Sequence, residues 1–422
     1  MRSWVDVPPG SDFTLENLPY GAFRRPGETA PRIGVAIGAR ILDLRFIAQS
    51  GLLRDTLPHA AEIFSQPTLN AFIALGEAAW QAMRARLTAL LSVGNSELID
   101  AGIAGAALAS QETAILSLPV DVSDYVDFYS SLDHALNLGT ILRPGTEPLT
   151  PNWRWLPLGY HGRAGSVVPA GTPIVRPRGQ MTSRESPRPC FGPSRMLDFE
   201  VELGFITGNG PALGTAIPVA EAERAIFGVV LLNDWSARDL QAWESQPLGP
   251  FLSKSFATSI SPWIVPLAAL APFRVAGPVQ EPEPLAHLAT RGERAFDIDL
   301  TATLSSGEMN VRGFAPLEIA RTNARTLYWS FAQQLAHLTS NGGRVCAGGL
   351  CGTGTISGAD PGSFGSMIEL TWRGARPLEL PDGSQRAFLE DGDTVVIRGR
   401  CERKGGPALG FGELSGTILP SR

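Results

Sequence analysis

Lysine is almost missing from this chain. Of its 35 basic residues only Lys254 and Lys404 are lysines; the rest are arginines. They form no run or stripe, net charge is −6, and the sequence pI is about 5.5. Nucleic acid is therefore not an expected partner. An anionic substrate would have to be attracted by a local site, not by the field of the whole molecule. Cysteine is scarce too. Cys190, Cys346, Cys351 and Cys401 fit no zinc spacing and are expected to be free, buried thiols without a role. No apolar run reaches the length of a membrane span. The opening MRSWVDVPPGSDF has no apolar leader region, so a cytoplasmic location with no membrane partner is expected.

What is present is ordinary in amount and uneven in kind. Apolar residues make up 44% and charged residues 18%, enough for a real core. A length of 422 residues implies two domains or one large one. Glycine (46) and proline (34) make turns frequent, which favours a β-rich fold over helix bundles. Arg32–Ile37, the pair Gly38-Ala39 and Arg40–Leu44 read as a hairpin. Leu69, Phe72, Ile73, Trp80, Met83, Leu87, Leu90 and Leu91 recur at helical spacing and predict one amphipathic helix over 68–91, its aromatic stripe facing a core. Residues 1–118 thus read as a small α+β unit, and Leu116–Val120 as the crossing into a second region. Beyond 119 short strands and turns dominate, without repeats or low-complexity tracts. The proline- and arginine-rich stretch 169–193 reads as a long loop.

Five segments could carry chemistry. In Met196–Phe205 apolar and acidic residues alternate, so a strand places Asp198, Glu200 and Glu202 on one face. Adjacent like charges repel, and a hard cation would relieve them; a solvated strand face is the plainer alternative. In Phe227–Gln241 a buried strand runs to Asp234. Ser236 and Asp239 match a capping box, and Arg238 and Gln241 share a helix face. Lys254 stands among small and apolar residues where this chain otherwise uses arginine, which hints at a need for a compact ammonium. His134 and His161 lie in polar, aromatic surroundings and suit acid–base work. His287 and His337 lie in apolar helical patterns and read as core. The glycine-rich run around Gly348–Thr355 fits neither a phosphate loop nor a dinucleotide fingerprint, but its amides and hydroxyls could hold a carboxylate.

Taken together, NLPYG from Asn17, DYVDFYSS from Asp124, PLGYHGRAGS from Pro157, LLNDWSARDLQAWE from Leu231, PLGPFLSKSF from Pro247, GTISG from Gly354 and FGSMIEL from Phe364 resemble the fumarylacetoacetate hydrolase family in its full-length, two-domain form. The resemblance implies a mostly β (β-rich α+β) fold: a small SH3-like N-terminal barrel over 1–118 and a large β-roll catalytic domain over 119–422, assembled as a homodimer. It implies hydrolysis of a carbon–carbon bond in 4-fumarylacetoacetate, a dicarboxylate diketone, to fumarate and acetoacetate, the last step of tyrosine and phenylalanine catabolism. Metal ligands fall on Asp127, Glu200, Glu202 and Asp234, with Lys254 and Thr258 at a second, Mg²⁺-type position; Ca²⁺ and Mg²⁺ are the implied cofactors. The catalytic pair falls on His134 and Glu369, assisted by Arg238, Gln241 and Lys254. Substrate contacts fall on Tyr129, Arg143, Tyr160, Gln241 and Thr355. Asp198 is not needed.

One departure stands out. After Trp243-Glu244 the family commonly carries a substrate-contacting tyrosine; here stands Ser245. That supports an alternative substrate, another acylpyruvate-type keto acid hydrolysed or decarboxylated on the same fold. A catalytically dead metal-binding protein is disfavoured by the joint presence of His134 and Glu369. A dinucleotide oxidoreductase lacks its fingerprint.

Overall fold

The computed structural model describes residues 2–182, 188–403, 406 and 408–422; Lys404 and part of the 169–193 stretch lie outside them. Two sheets organise the chain. The larger has 13 strands, ordered along its main path as Leu108–Ser110, Arg40–Asp43, Arg32–Ile37, Tyr20–Arg24, Trp263–Pro266, Ile226–Asp234, Val201–Thr207, Gly349–Gly352, Tyr125–Phe128 and Gly159–His161. The second has five strands and is built on the long antiparallel pair Thr394–Cys401 and Leu409–Leu419.

The expected hairpin forms, with Gly38 at φ 54° in its turn, except that its second strand ends at Asp43 and Leu44 opens the helix Leu44–Gln49. Its neighbour Tyr20–Arg24 pairs antiparallel with Trp263–Pro266, so the N-terminal strands and the rest of the chain share one sheet. They share a core as well. Val230, Leu232, Ile264 and Leu350 pack with Tyr20, Phe72 and Leu87, whereas Val229 and Leu231 point into the main core with Phe205 and Trp235. The apolar run before Asp234 is thus buried on both faces, which is why it lacks polar alternation.

Several expectations need correction. The predicted helix over 68–91 is two, Asn70–Ile73 and Glu77–Leu91. Gly76 separates them at φ 83°, a conformation that costs glycine nothing. The apolar stripe still faces a core. Within 169–193 there are short strands, including the hairpin of Arg178–Met181 with Cys190–Pro193, not a structureless loop. His287 lies exposed in a turn, and His337 is half-buried on the helix Phe331–Thr339. All four cysteines are free, but Cys190 is exposed.

Candidate active site and cation site

Three strands of the large sheet, Tyr125–Phe128, Val201–Thr207 and Ile226–Asp234, each bring one carboxylate to the same region, with Gly349–Gly352 lying between the first two. Asp127 ends the side-chain alternation begun by Tyr125, Glu202 lies on the face of Ile206, and Asp234 on that of Leu232. One oxygen from each lies within 4.8 Å of the others, a group able to hold a metal ion. All three are buried.

The cluster fits a cation on three counts. Asp127 Oδ1 and Glu202 Oε1 are buried without any hydrogen-bond partner, which is costly for a carboxylate unless something positive sits against it. Gly352 lies between the two strands, and a Cβ there would come within 3.1 Å of Glu202 Oε2 and 3.2 Å of Asp127 Oδ1. Glycine keeps that space open, which gives the glycine-rich run a purpose. Five buried carboxylates (Asp127, Asp198, Glu200, Glu202, Asp234) also meet only three cationic side chains, Arg163, Arg238 and Lys254, a shortfall of two charges. Burial, with Asp127, Glu200 and Asp234 nearby, holds the Glu202 carboxyl well above its usual range. Burial likewise pushes Asp127 up to about 6, against the pull of Arg163.

The acidic segment is neither one strand nor a solvated face: Leu197–Asp198 pairs with Ser236–Ala237, Glu200 makes only a bridge to Ser366, the long strand begins at Val201, and Asp198, Glu200 and Glu202 are all buried. Nor do the three play one part. Glu200 takes Arg238 Nη2 at 2.7 Å and the Lys254 ammonium, which outweigh burial and hold it below the ordinary carboxylate range. Its oxygens lie outside the three-carboxylate group. Asp198 accepts from Arg238 Nε at 2.7 Å and from the amides of Met367 and Ile368, at 2.6 and 3.1 Å. Lys254 also reaches Asp234 Oδ2 at 2.6 Å, and Thr258 Oγ1 donates to Asp234 Oδ1 at 3.0 Å. A compact ammonium between two carboxylates suits the isolated lysine.

Helix Leu132–Leu142 opens on Ser131, whose hydroxyl caps the His134 amide and sets His134 in the first turn. Its Nδ1 lies 2.7 Å from Glu369 Oε2, with both groups buried. Ser357, Ser366 and Asn137 also donate to the Glu369 carboxylate. Burial opposes its charge, but His134 and these donors hold the carboxyl below its usual range. Tyr129 stands edge-on to the His134 ring at 5.4 Å.

A cavity of about 330 Å³ joins these parts. It is lined by Asp127, Tyr129, His134, Arg143, Tyr160, Glu200, Glu202, Arg238, Gln241, Lys254 and Thr355; Asp234, Thr258 and Glu369 stand behind its wall. The expected Ser236–Asp239 capping box does not form. Helix Arg238–Glu244 starts from Ala237, Ser236 donates to the Asp234 carbonyl, and Asp239 holds Ser194 and Arg195. His161 is exposed, 3.8 Å from Asp124, and takes no part. Ser245 donates back to the Gln241 carbonyl at 2.6 Å and lines an adjoining cavity of about 470 Å³.

The fumarylacetoacetase N-terminal model matches residues 16–119, and the fumarylacetoacetate hydrolase C-terminal model residues 125–419. The chain belongs to the fumarylacetoacetate hydrolase family. It is 47% identical over 420 residues to a fumarylacetoacetase of Homo sapiens, covering 99% of each chain. It is 48% identical over 427 residues to one of Caenorhabditis elegans, covering 100% of each. A solved fumarylacetoacetate hydrolase from psychrophilic Exiguobacterium antarcticum shares the family fold at 16% identity and TM-score 0.53, covering 96% of this chain and 100% of its own.

Sequence reasoning named no role for Arg163, Gly352, Asn137, Ser357 or Ser366. Arg163, Gly352, Ser357 and Ser366 stand inside segments already singled out, and Asn137 lies outside them.

Proposed function

We propose that this chain hydrolyses the carbon–carbon bond of 4-fumarylacetoacetate, giving fumarate and acetoacetate. The observation that carries the reading is the buried His134–Glu369 pair opening on the same cavity as the Asp127–Glu202–Asp234 cluster. The near-complete match to fumarylacetoacetases of animals supports the substrate.

In this reading Asp127, Glu200, Glu202 and Asp234 would hold a divalent cation, with Lys254 and Thr258 at a second, Mg²⁺-type position beside Asp234; Ca²⁺ and Mg²⁺ are the ions proposed. Bound there, the cation supplies Lewis acidity toward the diketone oxygens. Glu369 fixes the imidazole through Nδ1, leaving Nε2 to take a proton from water. The hydroxide so formed adds to a carbonyl of the diketone. Arg238, Gln241 and Lys254 line the cavity where the negative oxygen develops. When the carbon–carbon bond breaks, the His134 proton passes to the departing carbon, so water is consumed and acetoacetate leaves neutral at that carbon. Arg143 receives a terminal carboxylate, and Tyr129, Tyr160 and Thr355 shape the walls.

The division at 118/119 and the homodimer belong to the same reading. Leu248, Phe251 and Leu252 stand well exposed in one short segment, a surface that a second copy would cover; light scattering tests it. A cytoplasmic location is part of the proposal as well. Among the described residues no helix is long and apolar enough to cross a membrane.

A second reading keeps the chemistry and changes the acyl group: the cavity beside Ser245 has room for a larger keto acid. Both are tested by incubating purified protein with fumarylacetoacetate, with and without EDTA, following diketone absorbance and fumarate. Metal-dependent loss with fumarate formed supports the first reading. Folded, metal-loaded protein that leaves the diketone intact moves the assignment to the second.

A further inference from the structure

Arg163 is a guanidinium set inside a site built for a metal cation. Its side chain is 4% exposed, and Nη2 lies 2.8 Å from Asp127 Oδ2 and 2.7 Å from Asp234 Oδ2. Nη2 also reaches the Tyr125 hydroxyl at 3.3 Å, and the guanidinium covers the rings of Tyr125 and Tyr160 at 4.7 and 5.3 Å. The backbone that delivers it is unusual. Arg163 has φ 37° and ψ 30°, the left-handed region, just before the turn Ala164–Ser166. A side-chain-bearing residue enters that region at a cost and stays only where its surroundings hold it.

One nitrogen bridging two carboxylates decides which of their oxygens face elsewhere. Asp127 Oδ2 is taken by Arg163 and the Tyr160 hydroxyl, which leaves Oδ1 bare. Asp234 Oδ2 is taken by Arg163 and Lys254. Glu202 Oε2 accepts the Gly354 amide, which leaves Oε1 bare. The bare oxygens of Asp127 and Glu202, together with Asp234 Oδ1, whose single partner is the Thr258 hydroxyl, are the ones a hard cation would use.

We propose that Arg163 is a positioning residue of the cation site: it ties Asp127 to Asp234 at the spacing a divalent cation needs, before any cation arrives. The inference rests on the metal reading given above, not on the identity of the substrate.

Two effects oppose each other. A fixed positive charge next to a divalent cation repels it, so removing Arg163 would tighten binding if repulsion ruled. Against this, the cluster is already two positive charges short. Without Arg163 the shortfall becomes three, more than one divalent ion neutralises, and Asp127 keeps only a tyrosine hydroxyl. The carboxylates would then separate or take up protons, and the cation would have to reassemble its own ligands. Positioning wins on that count.

The test titrates Ca²⁺ and Mg²⁺ calorimetrically into EDTA-stripped wild type, Arg163→Gln and Arg163→Lys, with melting temperatures read in EDTA and in saturating metal. Arg163→Gln should bind metal about 10–100-fold more weakly, the usual cost of losing a partner of a metal ligand, and its metal-induced rise in melting temperature should shrink. Arg163→Lys keeps the charge without the planar fork and should fall in between. Tighter or unchanged binding by either folded variant overturns the proposal. So does a melting temperature lowered equally with and without metal at unchanged affinity, which marks a purely structural role. Should Arg163→Gln fail to fold, Arg163→Lys decides alone. Wild-type protein that binds no divalent cation overturns the metal reading itself, a separate result from wild-type binding that the variants leave intact.

Discussion

His134 Nδ1 and Glu369 Oε2 stand 2.7 Å apart, both shut off from solvent, although 235 residues separate them in sequence. A carboxylate held so close fixes the tautomer and ring orientation of its histidine. Glu369→Gln keeps the shape and removes the charge. It should lower kcat by about 10²–10⁴-fold, the range that general-base assistance supplies, with KM little changed. His134→Ala should abolish turnover and leave metal affinity nearly intact. Retained hydrolysis in steady-state assays of His134→Ala would remove it as the base.

Metal affinity should depend unequally on the acidic segment. Glu202→Gln loses a bare oxygen and should weaken binding by about 100-fold or more, at least the upper end of what losing a ligand's partner costs. Glu200→Gln should cost less, since Arg238 and Lys254 already occupy its oxygens. Calorimetric titration of both variants checks the ranking. The reverse order would mean that Lys254 gives way to the metal at Glu200.

Protons compete for the same site. Burial lifts Asp127 to about 6 from an ordinary 3.8, and Glu202 higher than its usual range. A raised carboxyl binds its proton more tightly in the folded state, so it must release that proton before a cation binds. Affinity should therefore be poor below pH 6 and climb as pH rises, by about tenfold per unit while one proton is displaced. The folded apo-protein should lose stability over the same interval, because the folded carboxyl pKa is raised and the proton's contribution fades as pH rises through it. Titrations from pH 5 to 8 that give one constant affinity would contradict this.

Asp198 is expected to serve the fold rather than the metal. It holds Arg238 and two amides in a fully buried corner. Asp198→Ala leaves that guanidinium short of a partner and should destabilise the protein by about 3–5 kcal/mol, as breaking a buried ion pair does. Urea denaturation of the metal-free protein measures it. A change under about 1 kcal/mol would mean that Glu200 alone satisfies Arg238.

Local patterns were legible in the sequence where the physics is local. The hairpin at Gly38-Ala39, the buried strand before Asp234 and the apolar stripe facing the N-terminal core all rest on spacing over a few residues. Gly76 breaks its helix because one φ overrides a good periodicity, and spacing alone does not report φ. The capping box at Ser236 fails because Asp239 has a better use at Ser194, across a chain distance that no window covers. Arg163 was unreadable for the same reason. Its partners lie 36 and 71 residues away, and nothing in GYHGRAGS says which way its side chain turns. The alternation at Asp198, Glu200 and Glu202 showed the acidic segment but not the division of labour along it, which depends on Arg238 and Lys254 arriving from other segments.

The strand Tyr20–Arg24 runs beside Trp263–Pro266, and the chain just before Trp263 lies along Asn233 and Asp234. Gly21 has no room for a side chain: a Cβ there would meet the Trp263 ring at 2.6 Å and the Pro262 carbonyl at 2.9 Å. A side chain at Gly21 should therefore lower the amount of folded, active protein with every residue of the cavity unchanged. A survey that ranks variants by their distance from the cavity would pass over it, whereas one that follows strand pairing inward from the N-terminus would place it among the damaging ones.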